Sequence, residues 1–151
     1  MIKILCVGKI KEQYWKDALA EYQKRLSKYT KLNIVEVADV EGNHIPTILA
    51  QEKEALMKHI ETKDYVIALV IEGKETSSLD FSQMIDSIFL SSSNLVFVIG
   101  GSYGLHQDIK DRANYLLSFS KLTFPHQLFR VLLLEQLYRA YKIKNNESYH
   151  K

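Results

Sequence analysis

Apolar and polar positions alternate along the chain in two periods. Residues 2–7 are apolar and partly β-branched, which predicts a first strand. From Lys11 to Ser27, Trp15, Leu19, Tyr22 and Leu26 recur at steps of three and four, the spacing of a helix with one apolar stripe. Leu32, Ile34, Val35 and Val37 alternate loosely and predict a second strand. Gly42-Asn43 breaks the chain. Pro46 then suits the first turn of a helix, where its missing N–H would be unpaired anyway. That helix is expected to run to Ile60, with Ile48, Leu49, Leu56 and Ile60 inward. Residues 65–71 are apolar throughout, as in a central strand covered on both faces. Ser78 or Asp80 can cap a following helix that reaches Leu90. Residues 94–99 form a second fully apolar strand, which runs into Gly100-Gly101-Ser102-Tyr103-Gly104-Leu105. A short helix over 107–114 follows, then a strand from Leu116 to Thr123 that is unusually polar for a central one. Pro125 opens a long helix ending near Lys144, and residues 145–151 form a polar tail. Strict alternation of strand and helix predicts an α/β fold, a mostly parallel sheet with flanking helices.

Composition narrows the classes. A chain of 151 residues, 46% hydrophobic and 25% charged, can bury a core, and no Gly/Ser/Pro tract marks a linker, so residues 1–151 read as a single domain. Cys6 is the lone cysteine, which excludes an internal disulfide and a thiolate zinc site, and its place in an apolar strand predicts an inert thiol. The five histidines (44, 59, 106, 126 and 150) show no metal-ligand spacing, so no metal is expected. No stretch approaches the roughly 20 apolar residues of a membrane span, and the first apolar run is too short for a signal segment. The expected location is the cytoplasm. Net charge is +2, unevenly spread: Lys121, Arg130, Arg139, Lys142, Lys144 and Lys151 face only Glu135 and Glu147 in the last fifth of the chain. A polyanionic partner and a plain solvated helix face both fit that bias.

Three segments carry candidate chemistry. The glycine-rich turn after residue 99 lies where open α/β sheets bind ligands, beyond a strand's carboxyl end. Its spacing is G-G-x-x-G, not the dinucleotide G-x-G-x-x-G, and no ribose-binding acid stands near Ser120-Lys121, which argues against a nicotinamide oxidoreductase. A cofactor loop and a merely structural tight turn both remain. Gly73-Lys74 resembles the end of a phosphate loop, but Ala68 stands where the upstream glycine belongs and Glu75 where Ser or Thr belongs, which excludes an ATPase. Gly73 ends a central strand on the same sheet edge as Gly100, so both loops are expected to line one pocket. In the block from Ser118 to Gln127 a strand runs into a proline-opened helix, and free backbone groups before Pro125 could grip an adenine edge. Arg139 lies four residues after Glu135. That is either a surface ion pair worth about 0.3–0.5 kcal/mol or an arginine held to meet RNA phosphate. Tyr149-His150 is an unusual pair for a solvated tail, since a histidine titrates near neutrality and a tyrosine stacks on bases.

Together these pieces resemble the RlmH family, small methyltransferases of the SPOUT (α/β-knot) superfamily. The likeness rests on Ile71-Glu72-Gly73-Lys74, on Phe97-Val98-Ile99-Gly100-Gly101-Ser102 with Gly104-Leu105, and on Leu117 to Gln127. It continues through Arg130, Glu135-Gln136-Leu137-Tyr138-Arg139-Ala140 and Tyr149-His150-Lys151, in that order. The resemblance implies a sheet whose C-terminal part is threaded into a deep trefoil knot, which breaks the general rule against knots. It implies a homodimer with S-adenosylmethionine cradled at the interface. The implied reaction is methylation of N3 of a pseudouridine in helix 69 of 23S rRNA, on the assembled ribosome. Carried over by position, the cofactor contacts are Leu69, Gly100, Phe119, Ser120, Lys121, Leu122, Thr123 and Phe124. The implied catalytic groups are Tyr149, His150 and Arg139. Tyr149 or His150 would assist loss of the N3 proton or stabilise the imide anion, and Arg139 would hold phosphate or developing charge. The chain departs from the family at Asn146-Glu147-Ser148, where relatives carry Gly-Glu-Pro or Gly-Glu-Ala, and in a short linker over 40–45. The competing reading is a non-catalytic RNA- or ribosome-binding factor, which would keep the basic helix but have no use for the strand-end glycines.

Overall fold

In the computed structural model, which describes Met1–Lys151, strand and helix alternate without exception. The elements are β1 (Ile2–Val7), α1 (Gln13–Leu26), β2 (Leu32–Val37), α2 (Ile45–Met57), β3 (Tyr65–Glu75), α3 (Ser78–Ser91), β4 (Leu95–Ile99), α4 (Gln107–Arg112), β5 (Tyr115–Ser118) and α5 (His126–Lys144). The strands form one sheet in the order β2-β1-β4-β3-β5, and every pairing is parallel. The expected α/β class is thus what the chain adopts. The three inner strands carry the near-continuous apolar runs, because helices cover both of their faces. One face packs Ile4, Ile67, Leu95 and Phe97 against Leu19 and Leu26 of α1, Phe81 and Ile85 of α3, and Leu133, Leu134 and Leu137 of α5. The other packs Leu5, Val66, Ala68, Val96 and Val98 against Leu56 of α2 and Ile109 of α4. Cys6 is fully buried in the first layer, and burial pushes its thiol up to about 12, so it is inert. No helix is long and apolar enough to cross a membrane.

Among the boundaries that differ from expectation, three have a clear local cause. The N-cap of α3 is Ser77, not Ser78 or Asp80; its hydroxyl accepts the Asp80 N–H at 3.1 Å. The strand expected over 116–123 stops at Ser118. The Ser118 hydroxyl donates to the Ser120 carbonyl at 3.0 Å, and the Ser120 hydroxyl accepts the Leu122 N–H at 3.0 Å. Such short side-chain bonds offer the backbone an alternative to the ladder. In turn β3 runs past residue 71 to Glu75, but not straight. Leu117 of β5 is the register partner of Leu69 and again of Lys74, so residues 70–73 leave the ladder and return to it. Gly73 lies on the backbone of Leu116 and Leu117: a Cβ there would come within 2.7–2.8 Å of their main-chain atoms. Neighbouring strands run about 4.8 Å apart, so this stretch of β3 crosses the face of β5 and does not merely flank it. The expectation that Gly73 opens onto a pocket is corrected accordingly. It is spent on this crossing, and the residues just before it reach the pocket instead.

Candidate functional site

Because all five strands run the same way, their carboxyl ends share one edge of the sheet. Between the ends of β4, β3 and β5 lies a cleft of about 550 Å³, lined by Leu69–Glu72, Ile99–Leu105 and residues of the 117–129 segment. That size falls within the roughly 300–1,000 Å³ of small-molecule sites. Leu69, Gly100, Phe119, Ser120, Leu122, Thr123 and Phe124 all line it. Lys121, from the same segment, does not. The glycine-rich turn is folded back on itself. Gly101 and Gly104 bridge, with the Gly104 N–H donating to the Gly101 carbonyl at 3.1 Å. Gly104 has φ +79, and a Cβ on Gly100 would collide with the Gly104 carbonyl oxygen. These glycines therefore close the turn, and the closed turn forms one wall of the cleft.

The opposite wall is the loop from Phe119 to Pro125. Between Phe119 and Phe124 only the Leu122 N–H has a hydrogen-bond partner within the protein, the Ser120 hydroxyl. The other main-chain donors are free for a ligand with a nucleobase edge, and Leu117, Phe119, Phe124 and Phe129 supply apolar surface beside them. A nucleoside with an amino-acid arm, such as S-adenosylmethionine, fits this chemistry. At the mouth, Lys110 donates to Glu72 at 2.6 Å, and that bond holds the Glu72 carboxyl below its usual range.

The tail residues form a separate cluster on the far part of α5. Arg139 binds Glu135 through Nε (2.9 Å) and Nη2 (2.6 Å) and lies 4.7 Å from the Tyr149 ring centroid. The Tyr149 hydroxyl donates to the other Glu135 oxygen at 2.8 Å, and its ring meets Tyr138 edge-on. Burial first, and then this bond to Glu135, push the Tyr149 phenol up to about 12. His150 Nδ1 stands 3.2 Å from Arg139 Nη1. A guanidinium can only donate, so Nδ1 is the acceptor, and in the neutral ring the proton sits on Nε2. Glu147 anchors the segment through Lys142 (2.8 Å) and the Tyr29 hydroxyl (2.8 Å). Arg139, Tyr149 and His150 are therefore assembled, but none lines the cleft. From His126 to Arg139 the axis of α5 rises roughly 20 Å.

Two residues of α5 matter more than their sequence context suggested. Arg130 is 2% exposed and ties the end of β1 to α5: its Nη2 donates to the carbonyls of Val7 (3.0 Å) and Gly8 (2.8 Å), and its Nη1 pairs with Glu36 at 2.7 Å. Its Nε has no partner. Charge alone grouped it with Arg139; its one-turn distance from Pro125, on the sheet-facing side of α5, was the available signal. His126, the first residue of α5, is half-buried, lines the cleft and has no hydrogen-bond partner in the protein. Burial, and then Arg130, lower its pKa, while Asp39 works in the opposite direction.

Comparison with known proteins agrees with this architecture. Residues 1–150 match the family model described as "Predicted SPOUT methyltransferase". A Clostridium botulinum protein named "Ribosomal RNA large subunit methyltransferase H" is 53% identical, with 99% of each chain covered. Proteins of the same name from Streptococcus uberis and Caldicellulosiruptor saccharolyticus are 49% and 47% identical, covering 99% and 100% of both chains. Among solved structures, "a probable methylase family protein from Haemophilus influenzae Rd KW20" superposes with a TM-score of 0.59 at 12% identity, covering 99% of this chain and 70% of that one, a likeness of fold.

Proposed function

This chain belongs to the SPOUT methyltransferase family, and from that premise we propose that it methylates large-subunit ribosomal RNA with S-adenosylmethionine as donor. The names of its full-length relatives support the substrate. The observation that carries the reading is the cleft at the strand ends, where the main-chain donors from Phe119 to Phe124, Leu122 apart, are unpaired. A factor that only bound RNA would have no use for it. At finer grain, the target is N3 of a pseudouridine in helix 69 of 23S rRNA, read on the assembled ribosome in the cytoplasm.

Bound in the cleft, S-adenosylmethionine supplies a methyl already activated by a positively charged sulfur. The protein's task is to hold the acceptor in line and manage its proton. Backbone groups of Phe119–Phe124 would hold the adenine edge, and Leu69 and Gly100 would bound the donor's other side. The tail cluster presents N–H groups outward: the Arg139 guanidinium and the Nε2–H of His150. Donors so placed stabilise an imide anion. That favours anion stabilisation over proton removal as the role of Tyr149 and His150, with Tyr149 bracing Glu135 and Arg139. Because cleft and tail lie roughly 20 Å apart along α5, a complete site needs the tail of a second copy, which supports a homodimer. The crossing of β3 over β5 supports the knotted threading of the C-terminal segment implied by the family resemblance.

The test is transfer of labelled methyl to whole ribosomes, free subunits and naked 23S rRNA from a strain lacking the modification. Label on helix 69 of whole ribosomes is expected. Cofactor binding without label on any of the three would discard the target, and absence of both would return the chain to the RNA-binding class.

A further inference from the structure

We infer that His126 is the base that removes the imide proton of the target, acting from the wall of the donor cleft. The inference rests on the reading above, in which the acceptor is an imide nitrogen. An imide N–H is protonated at neutral pH, so the nitrogen has no lone pair for a methyl until a base takes the proton.

The tail does not supply that base. Tyr149 spends its own proton on Glu135, Glu135 is committed to Arg139 and Tyr149, and the Nδ1 lone pair of His150 is occupied by Arg139. What faces outward from the cluster is a set of donors. The cleft has four ionisable side chains on its lining: Glu72, Tyr103, Lys110 and His126. Glu72 and Lys110 neutralise each other at 2.6 Å. Tyr103 stands 51% exposed at the rim, and a phenol offers a proton before it takes one. His126 alone combines a place on the wall, partial burial and a ring nitrogen with no partner in the protein.

The charges around His126 suit the task. From its own helix, Arg130 favours the neutral ring, and burial does so more strongly. A neutral imidazole at working pH has the free lone pair a base needs. From the segment after β2, Asp39 favours the imidazolium that forms after the transfer. Glu36 of β2 is spent on Arg130, and Glu52 of α2 lies behind Gly101, its carboxyl raised by burial and by Asp39. Across the cleft, Glu72 and Lys110 cancel. The balance is complete: the N3 proton passes to the imidazole, and the electron pair it leaves on N3 takes the methyl. The methyl–sulfur bonding pair stays on sulfur, and the imidazolium returns its proton to solvent.

The test compares wild-type protein with His126→Ala and His126→Asn in single-turnover transfer to ribosomes across pH. Cofactor affinity is followed by calorimetry, and the methylated position by mass spectrometry. Both variants are expected to bind cofactor within about twofold of wild type and to lose about 10²–10⁴-fold in rate at neutral pH. The residual rate should climb about tenfold per pH unit as the imide ionises unaided, and added imidazole should partly restore His126→Ala. In the cofactor-free protein, the His126 ring should titrate by NMR below an ordinary histidine. Wild-type rates in the variants, or a loss with neither imidazole rescue nor a changed pH profile, would overturn the role while leaving the methyltransferase intact. Methyl found by wild type on an atom that bears no acidic proton would overturn the imide reading and the role of His126 together.

Discussion

At the scale of single residues, the tail offers a direct pH test. The Tyr149 phenol is pushed up to about 12 by burial and by the bond to Glu135. A phenol that holds its proton more tightly in the docked tail than in a free one favours docking at every pH below the ordinary tyrosine value of about 10. That contribution is lost as pH rises from about 10 through about 12, when a phenolate would face the Glu135 carboxylate. Subtracting the tyrosinate absorbance titration of Tyr149→Phe from that of wild type should isolate one step near 12; a step near 10 would mean the tail is not docked. The sequence exposed these residues unequally. Glu135 and Arg139 were legible as an i,i+4 pair, and Tyr149-His150 as an odd end for a solvated tail. Their convergence on one carboxylate was not, because it depends on how residues 145–148 turn, with Asn146 at φ 53. Arg130 and His126 were hidden for another reason. Burial decides what an arginine or histidine does, and neither residue type announces burial in a sequence.

At the scale of elements, the apolar runs of the inner strands and the stripes of α1 and α2 were readable because helices on both faces demand them. The irregular stretch of β3 was not, since nothing in Glu72-Gly73-Lys74 says that a backbone will cross another backbone there. The crossing makes Gly73 intolerant of any side chain, because the atoms a Cβ would meet belong to the main chain of Leu116 and Leu117 and cannot rotate away. Gly73→Ala is therefore expected to cost about 1–3 kcal/mol, the usual range for overpacking. It should also weaken cofactor binding, since β5 leads straight into the donor loop. Urea unfolding and calorimetry on the same variant check both effects.

At the scale of the whole molecule, the long axis of α5 sets the organisation. The helix opens at the cleft with His126 and closes at the tail, held to the sheet between by Arg130. On the proposed reading, a site drawing on both of its ends is built across two copies. The expected signature is complementation: His150→Ala and Gly100→Leu, each inactive alone, should recover activity when co-expressed as a mixed dimer, one of whose two sites is then intact. Recovery in the mixed species and none in the separate proteins is the result to look for in the methyl-transfer assay; no recovery would place both halves of a site on one chain.

The crossing of β3 over β5 also bears on how the chain comes apart. Leu117 is flanked by Leu69 on one pass of β3 and by Lys74 on the next, with Gly73 lying over the peptide between. In the knotted threading proposed above, everything after it, including the whole of α5, would have to be drawn past that stretch before the sheet could open, and drawn back before it could close. Long-range pairings already slow folding, and this one adds an order of events. Denaturation and renaturation curves recorded after short incubations would then trace different paths, and the lifetime of the native state would be a matter of rates rather than of free energy alone.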